Sequence, residues 1–530
     1  MRANRGLVVV ALRVVALIKI LVWVQAASAQ NAADLANASC LSCHGTPGFA
    51  APGADGKTRP LFVPADQFAN SVHGDAGLRC TDCHTTITET PHKNLPATAV
   101  ARAQARLAFN KNCGNCHAKA LESYTETYHG QVAALGYANV ATCSDCHGTH
   151  DILPARNAAS TVAPGNLLKT CQNCHADATA GFATFHSHAT VDDLRHYPFE
   201  WLASKFVIAA VGGVLVIFWI HSALWFYREL RDRQQQRLRT HVRADALSPA
   251  GEKSAARGYF QRWSPLWRWA HLLFAVSIIL LVATGVTLLY PNTAWAPVLE
   301  RAFGGPEIAG IIHRIGAVVM VAVFAAHIVY AAIHIGLNWK TFKIFGPYSL
   351  MPNWQDAADI AAMVKWFFGK APRPSFDHWN YQQKVDYWAP FWGITMLVAT
   401  GAVLWFKTLT GAFLPGWVFN VATVAHGDEA VLAAAYLFTV HYFVNHWRPD
   451  KFPLDVVMFT GSMPLEEFKR EYTVEYDRLV ANGELQHHLV NAPSRPMTLG
   501  SKLLGFSLVA LGLALLVMMA IGVGGGLMAN

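Results

Sequence analysis

The sequence predicts an all-α protein in two parts: a loop-rich domain, then a bundle of six transmembrane helices. Three observations support this prediction. All ten cysteines lie between residues 40 and 175, in five copies of the motif Cys-x-x-Cys-His. Residues 201–530 contain six long apolar segments. The chain is 53% hydrophobic and only 14% charged, with a mean hydropathy of +0.24, which is too apolar for a soluble protein.

Residues 1–29 have the features of a secretory signal. Two arginines precede an apolar stretch, and the small residues 27–29 offer a cleavage site. Arg13 and Lys19 interrupt the apolar stretch, so a retained N-terminal anchor is the alternative. Either reading predicts that the residues that follow are exported.

The five Cys-x-x-Cys-His motifs predict covalently bound haem. Two thiols three residues apart can bond the two vinyl-derived carbons of one haem, and the adjacent histidine then ligates the iron. Neither a disulfide framework nor a zinc site explains a histidine after the second cysteine in all five copies. We therefore predict five haems c, held by Cys40, Cys43, His44, Cys80, Cys83, His84, Cys113, Cys116, His117, Cys143, Cys146, His147, Cys171, Cys174 and His175.

Residues 30–200 then form a pentahaem cytochrome c domain. Because c-type haem is attached outside the cytoplasm, this domain is predicted to lie in the periplasm of a bacterium. About 170 residues around five haems leave little protein for an ordinary core, so the haems supply most of the apolar interior. We expect short helices and many loops.

The sixth ligand of each haem c iron is predicted to be histidine. Residues 2–319 contain no methionine, which excludes His/Met ligation by this domain, whereas residues 30–200 contain seven histidines besides those of the motifs. The preferred distal ligands are His73, His129 and His150, then His92 and His186, with His188 and His196 in reserve.

A weak internal repeat supports this order. Ser-Val-His-Gly at 71–74 precedes one motif and Thr-Tyr-His-Gly at 127–130 precedes another, which is followed by His150-Asp151. The pattern resembles the multihaem cytochromes c, in which such histidines are distal ligands of neighbouring haems. Which histidine serves which haem stays open.

Six segments are long enough, or nearly so, to span a bilayer: 206–227, 267–290, 308–337, 388–409, 418–443 and 503–528. Six arginines between 228 and 243 place the loop after the first span in the cytoplasm, by the positive-inside rule. Residues 201–228 are predicted to be a transmembrane tether, residues 229–262 a cytoplasmic linker and residues 263–530 the membrane domain. The predicted location is the bacterial inner membrane.

Four histidines inside these spans predict two further haems, since ionisable residues at membrane depth are costly. His313 and His426 lie near periplasmic ends of their helices, and His271 and His441 lie near cytoplasmic ends. Matching depths pairs His313 with His426 and His271 with His441, which predicts two non-covalent bis-histidine haems b. His327, 14 residues after His313 and nearly on the same helix face, is an alternative ligand for the cytoplasmic haem.

The membrane half carries an ordered set of motifs: Arg268-Trp269-Ala270-His271, Thr284-Gly285, His313-Arg314, Asn380-Tyr381-Gln382-Gln383-Lys384, His426 and His441. They resemble the cytochrome b subunit of formate dehydrogenases and nickel-iron hydrogenases, which is cytochrome b561-like. The resemblance implies that the four histidines bind two haems b. It also implies that Asn380 and Gln383, with Lys384 nearby, line a quinone pocket beside His441. Gln382 stands where the family has glycine, which alters the pocket.

Together these features predict membrane-bound electron transfer between the quinone pool and a periplasmic redox protein. The expected activity is quinol oxidation at Asn380, Gln383 and Lys384, with Asp386 or His378 relaying protons. The formal charge of +8 is spread over loops that flank the spans in the bilayer, so no nucleic-acid partner is predicted.

Alternative functions stay open. The same chain run in reverse would reduce quinone with electrons from a periplasmic donor, as the anchor subunit of a larger oxidoreductase. A multihaem terminal reductase would need an iron with an open position. The seven spare histidines disfavour that reading.

Overall fold

A computed structural model describes residues 36–52, 58–93, 98–244 and 258–529. The predicted signal, residues 1–29, lies outside these ranges, and so do residues 245–257 of the predicted linker. Contacts divide the chain into two compact units, Met1–Ala178 and Thr179–Asn530. The second unit therefore begins before residue 200, which is the predicted end of the haem domain.

The first unit consists of short helices joined by loops. Its described helices are α1 (Asn37–His44), α2 (Ala65–Ala69), α3 (Val72–Asp75), α4 (Cys80–Cys83), α5 (Ala99–Gly114), α6 (Ala118–Thr125), α7 (Tyr128–Ala134), α8 (Cys143–His147) and α9 (Leu167–Gln172). A small antiparallel hairpin pairs β1 (Ala50–Pro52) with β2 (Thr58–Pro60). Among its described residues, the buried apolar side chains are Val132, Leu135, Ala163 and Ala178. Such a small core agrees with an interior filled by haem, and the predicted loop-rich fold is confirmed.

The second unit is built on long helices. Its helices are α10 (Pro198–Ala244), α11 (Pro265–Leu289), α12 (Ala296–Ala302), α13 (Pro306–Leu337), α14 (Trp354–Phe367), α15 (Tyr381–Trp405), α16 (Lys407–Phe413), α17 (Trp417–Tyr436), α18 (Val457–Thr460), α19 (Leu465–Glu471), α20 (Thr473–Ala481) and α21 (Arg495–Ala529). Within the described ranges, five helices are long and apolar enough to cross a membrane: Pro198–Gln235, Pro265–Leu289, Pro306–Leu337, Tyr381–Trp405 and Arg495–Gly525.

The sixth predicted span, 418–443, is also helical. After α17 the chain continues as π-helix over Leu437–His441 and Phe443–Trp447. Asp428 and Glu429 make this segment less apolar than the other five. The predicted all-α membrane bundle is confirmed.

Ring contacts give the relative direction of α10 and α17. Phe199 stacks on Trp417 with ring centroids 4.4 Å apart, and Phe226 lies 6.4 Å from Phe443 in the π-helical segment after α17, so the two helices run parallel. Helices α11 and α13 pack against each other, as do α15 and α17. We call the end of the bundle that contains Trp417 the upper end. The end that contains Asn380 is the lower end.

Helix α10 is packed into the bundle, which differs from the predicted tether over 201–228. Trp225 is fully buried, and its ring meets that of Trp366 from α14. His221 Nε2 lies 2.7 Å from the hydroxyl of Tyr381 in α15. An apolar and hydrogen-bonded face of this kind fixes the helix in the bundle.

A small subdomain covers the lower end. Strands β3 (Tyr259–Gln261), β4 (Ser462–Pro464) and β5 (Leu489–Val490) form an antiparallel sheet in the order β4-β3-β5. Phe260 of β3 pairs with Met463 and Leu489, and its ring stacks on Phe468 at 3.6 Å. The sequence analysis did not predict this sheet, because strands of two or three residues show no periodicity.

Candidate functional site

In the first unit, each Cys-x-x-Cys-His motif lies on or beside a short helix. Helices α1, α4, α5, α8 and α9 each carry at least the first cysteine of a motif. All ten cysteines are free of disulfide bonds. One turn of helix keeps the two thiols and the histidine close enough to hold a single haem.

Four of the motif histidines face a second histidine from another part of the unit. The ring centroids are 6.0 Å apart for His44–His92, 6.1 Å for His73–His117, 6.1 Å for His84–His150 and 6.1 Å for His129–His175. The structure therefore brings together four of the five predicted distal ligands with motif histidines, and it supplies the pairing that the sequence left open.

The spacing of these rings fits two imidazoles on one iron. A bond between a metal and an imidazole nitrogen is about 2.0–2.1 Å long, and the ring centre lies roughly 1.1 Å behind that nitrogen. Two imidazoles on opposite sides of one metal therefore place their ring centres about 6.3 Å apart. The four measured distances lie close to this value, so these histidines fit bis-histidine haem.

The short helix α3, which carries His73, is held in place by the residues on either side of His73. Ser71 caps α3, since its Oγ accepts a hydrogen bond from the backbone N–H of Gly74 at 3.0 Å. A Cβ on Gly74 would lie 2.0 Å from the carbonyl oxygen of Phe68. Only glycine permits this close approach, so the His-Gly pattern is a requirement of the backbone.

The same arrangement recurs around His129. Thr127 Oγ1 accepts a hydrogen bond from the backbone N–H of Gly130 at 3.2 Å. A Cβ on Gly130 would lie 2.1 Å from the carbonyl oxygen of Tyr124. The weak sequence repeat thus corresponds to a repeated structure that fixes a distal histidine.

Two asparagines that sequence reasoning missed hold the motif helices. Asn37 Oδ1 accepts a hydrogen bond from the backbone N–H of Cys80 at 2.8 Å, and Asn110 Oδ1 accepts one from Cys143 at 3.2 Å. Each asparagine lies more than thirty residues from its partner, so no local pattern marks it.

His186, also predicted as a distal ligand, lies in the second unit. Its Nδ1 is 2.8 Å from Glu200 Oε1, and its backbone N–H donates to Asn420 Oδ1 at 3.1 Å. With Nδ1 on a carboxylate, Nε2 is the ring nitrogen left for a metal. His186 as a distal ligand of a haem c stays a prediction.

In the second unit, the four predicted membrane histidines form two pairs. His313 and His426 lie toward the upper end with ring centroids 6.2 Å apart. His271 and His441 lie toward the lower end with centroids 6.4 Å apart. Both distances fit two imidazoles on one metal, by the same reasoning as for the first unit.

Threonine hydroxyls orient both imidazoles of the upper pair. Thr284 Oγ1 is 2.9 Å from His313 Nδ1, and Thr400 Oγ1 is 3.0 Å from His426 Nδ1. Each hydroxyl donates to the backbone carbonyl four residues earlier at 2.7 Å, so each accepts from the imidazole N–H. The proton on Nδ1 leaves Nε2 free to ligate a metal.

Thr400 is a site residue that sequence reasoning missed. The sequence Leu-Val-Ala-Thr-Gly occurs at 281–285 and again at 397–401. In each copy the glycine adjoins the next long helix: a Cβ on Gly285 would lie 3.5 Å from His313 Cε1, and one on Gly401 would lie 3.2 Å from His426 Cε1. The segments around Thr284 and Thr400 therefore form a repeat that makes the same contact to a histidine of the next long helix, and the repeated pentapeptide is the signal that could have revealed Thr400.

The lower pair has different surroundings. His441 Nδ1 lies 3.2 Å from Asp386 Oδ2, and the hydroxyl of Tyr436 donates to Asp386 Oδ1 at 2.8 Å. His271 Nδ1 is buried and has no hydrogen-bond partner among the described residues. Asp386, predicted as a proton relay, contacts a predicted haem ligand directly.

His327, the alternative ligand, has another partner. Its Nε2 is 2.9 Å from the hydroxyl of Tyr387, and its ring meets that of Trp267 edge-on. Tyr387 follows His271 by the same 116 residues that separate Thr400 from Thr284. The His327–Tyr387 pair thus occupies the position in the repeat that corresponds to the lower histidine pair.

The predicted quinone residues lie together at the start of α15, where their side chains have protein partners. Asn380 Oδ1 accepts from the backbone N–H of Gln383 at 2.9 Å, and Gln383 Oε1 accepts from that of Asn380 at 3.1 Å. Gln383 Nε2 donates to the Tyr472 hydroxyl at 2.9 Å. Lys384 Nζ lies 2.8 Å from Asp356 Oδ1. These contacts begin the helix and fix its position.

Gln382 differs from its neighbours. It is 5% exposed, and neither atom of its side-chain amide has a hydrogen-bond partner within the described ranges. A buried polar group without a partner costs about 1–3 kcal/mol. Gln382 lies one helical turn before Asp386, on the same face of α15.

His378, the other predicted proton relay, lies just outside the bundle. Its Nδ1 is 2.5 Å from Glu475 Oε1 and 3.1 Å from Arg262 Nη1. Burial, and then the Arg262 guanidinium, lower the pKa of His378. The Glu475 carboxylate acts in the opposite direction and raises the pKa, but the net direction is downward.

Two family models match the chain. Residues 66–148 match cytochrome c7 and related cytochromes c, and residues 178–347 match prokaryotic cytochrome b561. The first match contains three motifs with His73 and His129, and the second contains His271 and His313. No curated protein matches the chain.

The chain joins a multihaem cytochrome c domain to a cytochrome b561-like membrane domain. This confirms the fusion predicted from the motifs. The protein is a membrane electron-transfer protein that uses haem c and haem b.

Proposed function

We propose that this protein is a quinol dehydrogenase of the bacterial inner membrane that delivers electrons to a periplasmic redox partner. The observation that supports the proposal is the two histidine pairs at different depths of one bundle, since two haems b held there would lie toward opposite faces of the membrane. The arginines that follow the first span support a cytoplasmic lower end and a periplasmic upper end, by the positive-inside rule.

The chain's own residues fix where each haem is held. Five Cys-x-x-Cys-His motifs hold five haems c, and the two membrane pairs hold two haems b. Bound haem supplies one-electron chemistry, and bis-histidine ligation favours low reduction potentials compared with His/Met ligation.

The proposed quinone site lies at the start of α15, beside His441. Asn380, Gln383 and Lys384 shape it through the contacts that begin the helix. The side-chain amide of Gln382 has no hydrogen-bond partner among the described residues, so its N–H groups can donate to a ligand. A quinone headgroup has two oxygens that can accept such hydrogen bonds.

Proton release is proposed at His378. Quinol oxidation frees two protons for each two electrons. A neutral imidazole held on the buried carboxylate of Glu475 can accept a proton and retain its hydrogen bond.

The test is anaerobic reduction of the purified protein by a reduced menaquinone analogue, followed at the b and c α-bands. Wild type is expected to reduce both. Gln382→Gly and Gln383→Ala should slow reduction by about tenfold or more, while the exposed control Gln355→Ala should not.

Two results would contradict the proposal. If only dithionite reduces the wild-type protein, quinol is not its donor. If both site variants react at the wild-type rate with unchanged haem spectra, quinol binds elsewhere.

A further inference from the structure

The two membrane histidine pairs differ in the groups that accept their imidazole protons. At the upper pair both acceptors are threonine hydroxyls, from Thr284 and Thr400. At the lower pair the carboxyl group of Asp386 lies 3.2 Å from His441 Nδ1. The amide nitrogen of Asn445 is also 3.2 Å from this Nδ1, but it donates to the His441 carbonyl at 2.9 Å, so Asp386 is the acceptor. The repeat makes the upper site nearly symmetric, whereas the lower site departs from it.

The hydrogen bonds around Asp386 identify its charge state. Tyr436 donates its O–H to Asp386 Oδ1 at 2.8 Å. His441 must keep Nε2 unprotonated to ligate a metal, so its Nδ1 carries the proton and donates to Asp386 Oδ2. Because both oxygens of Asp386 accept hydrogen bonds, the group is a carboxylate.

A carboxylate on a ligating imidazole acts on the metal. It pulls the Nδ1 proton and makes the imidazole a stronger donor, which stabilises the more oxidised metal. A threonine hydroxyl is neutral and has a much weaker effect. Bilayer and packed helices around the lower pair screen a negative charge poorly, which strengthens the difference.

We propose that Asp386 makes the haem site of His271 and His441 lower in reduction potential than that of His313 and His426. The order of potentials then favours net electron flow from the lower end to the upper end. This inference rests on the proposed haem b sites and gives the proposed quinol oxidation its direction. Asp386 acts here as a positioning and tuning residue for His441.

The test is an equilibrium redox titration of the b α-band in purified protein. Wild type should show two components. In Asp386→Asn the midpoint potential of the low-potential component should rise. The expected change is about tenfold in its redox equilibrium constant, which is about 59 mV for one electron. Asp386→Glu, which keeps the charge, should restore most of the separation.

Thr400→Val is the matched control at the pair of His313 and His426. It should leave the midpoint potential of the low-potential component unchanged. The inference is overturned if Asp386→Asn moves only the upper component or neither, with both haems b still bound. It is also overturned if Asp386→Glu behaves like Asp386→Asn. Failure of quinol to reduce a wild-type protein with two separated components would instead contradict the proposed function alone.

Discussion

A single hydrogen bond determines which nitrogen of His313 faces the paired imidazole. Thr284 accepts the Nδ1 proton, and Thr400 does the same for His426. The sequence indicated all four membrane histidines and Thr284 through family motifs. It did not indicate Thr400, because the pentapeptide repeat was not recognised, nor Asp386 as a partner of His441, because that contact joins two helices.

Replacing both threonines should weaken haem b binding at the upper site. Thr284→Val with Thr400→Val keeps the side-chain volume and removes the acceptors, so affinity should fall by about 10- to 100-fold. The measurement is the ratio of haem b to haem c after extended dialysis. Thr423→Val is the control, since its hydroxyl donates to the carbonyl of Phe419 one turn earlier in the same helix. An unchanged ratio in the double variant would contradict the assigned role.

His327 and Tyr387 should be dispensable for haem binding. His327 Nε2 lies 2.9 Å from the Tyr387 hydroxyl, so each side chain already has a partner in the protein. Tyr387→Phe and His327→Leu should therefore each retain the wild-type content of haem b. His441→Ala should lose one haem b. Haem extraction and quantification distinguish the two cases, and loss of haem in His327→Leu would restore this residue as a ligand.

At the scale of elements, the sequence predicted where the long helices lie, because apolar runs mark them, but α10, α15 and α21 each begin seven or eight residues before the predicted span. It did not predict the π-helical segments after Tyr436 or the sheet β4-β3-β5. Both depend on packing between distant segments, which local periodicity does not contain. The His-Gly loops were recognised as a pattern, and their physical reason is the close backbone approach at glycine.

Adding a methyl group at these glycines should displace the distal histidines. In Gly74→Ala and Gly130→Ala the new Cβ would lie about 2 Å from a backbone oxygen, so α3 or α7 must shift. We expect partial loss of low-spin haem c signal by electron paramagnetic resonance and new carbon monoxide binding. Gly165→Ala is the control, because its Cβ would meet open space. Identical spectra in all three variants would contradict this account of the loops.

The lower-end subdomain depends on a buried ion cluster. Glu471 lies 2.9 Å from Arg448 and 3.1 Å from Lys451. Burial alone would raise the pKa of Glu471, but the two cations hold it well below its ordinary value. The stability that this carboxylate contributes is therefore present above the ordinary glutamate pKa and is lost as the pH falls well below it.

Glu471→Gln should destabilise the subdomain by about 1.5–3 kcal/mol at pH 7. Arg448 and Lys451 each lose one carboxylate partner and keep another, Asp450 for Arg448 and Asp455 for Lys451. The difference between variant and wild type should narrow as the pH falls below the ordinary glutamate pKa, because the unfolded chain then binds a proton that the native carboxylate does not. Hydrogen exchange of residues 457–481 at pH 7 and pH 3 measures both effects. A constant difference across this range would contradict the charge-based explanation.

For the whole molecule, the sequence predicted a multihaem cytochrome c fused to a membrane cytochrome b, because its motifs are short and chemically specific. The structure adds the pairing of His44, His84, His117 and His175 with their second histidines. Those contacts join distant parts of the chain, and nothing in the sequence orders them. The packing of α10 into the bundle was missed for the same reason.

The assigned sites predict a fixed haem content. Purified protein should contain five haems c for every two haems b. Pyridine haemochrome spectra give the ratio, and the mass of the denatured chain counts the covalent haems. A mass that corresponds to four covalent haems would show that one Cys-x-x-Cys-His motif does not bind haem. A single haem b per chain would show that one of the two membrane histidine pairs does not bind haem.

The central claim is that electrons enter from quinol at the membrane domain and leave through the cytochrome c domain. Anaerobic stopped-flow mixing with a reduced menaquinone analogue tests it most directly. The b α-band should appear before the c α-band, and both should be lost in His441→Ala. Reduction of c before b, or of c alone, would contradict it and point to a donor on the periplasmic side.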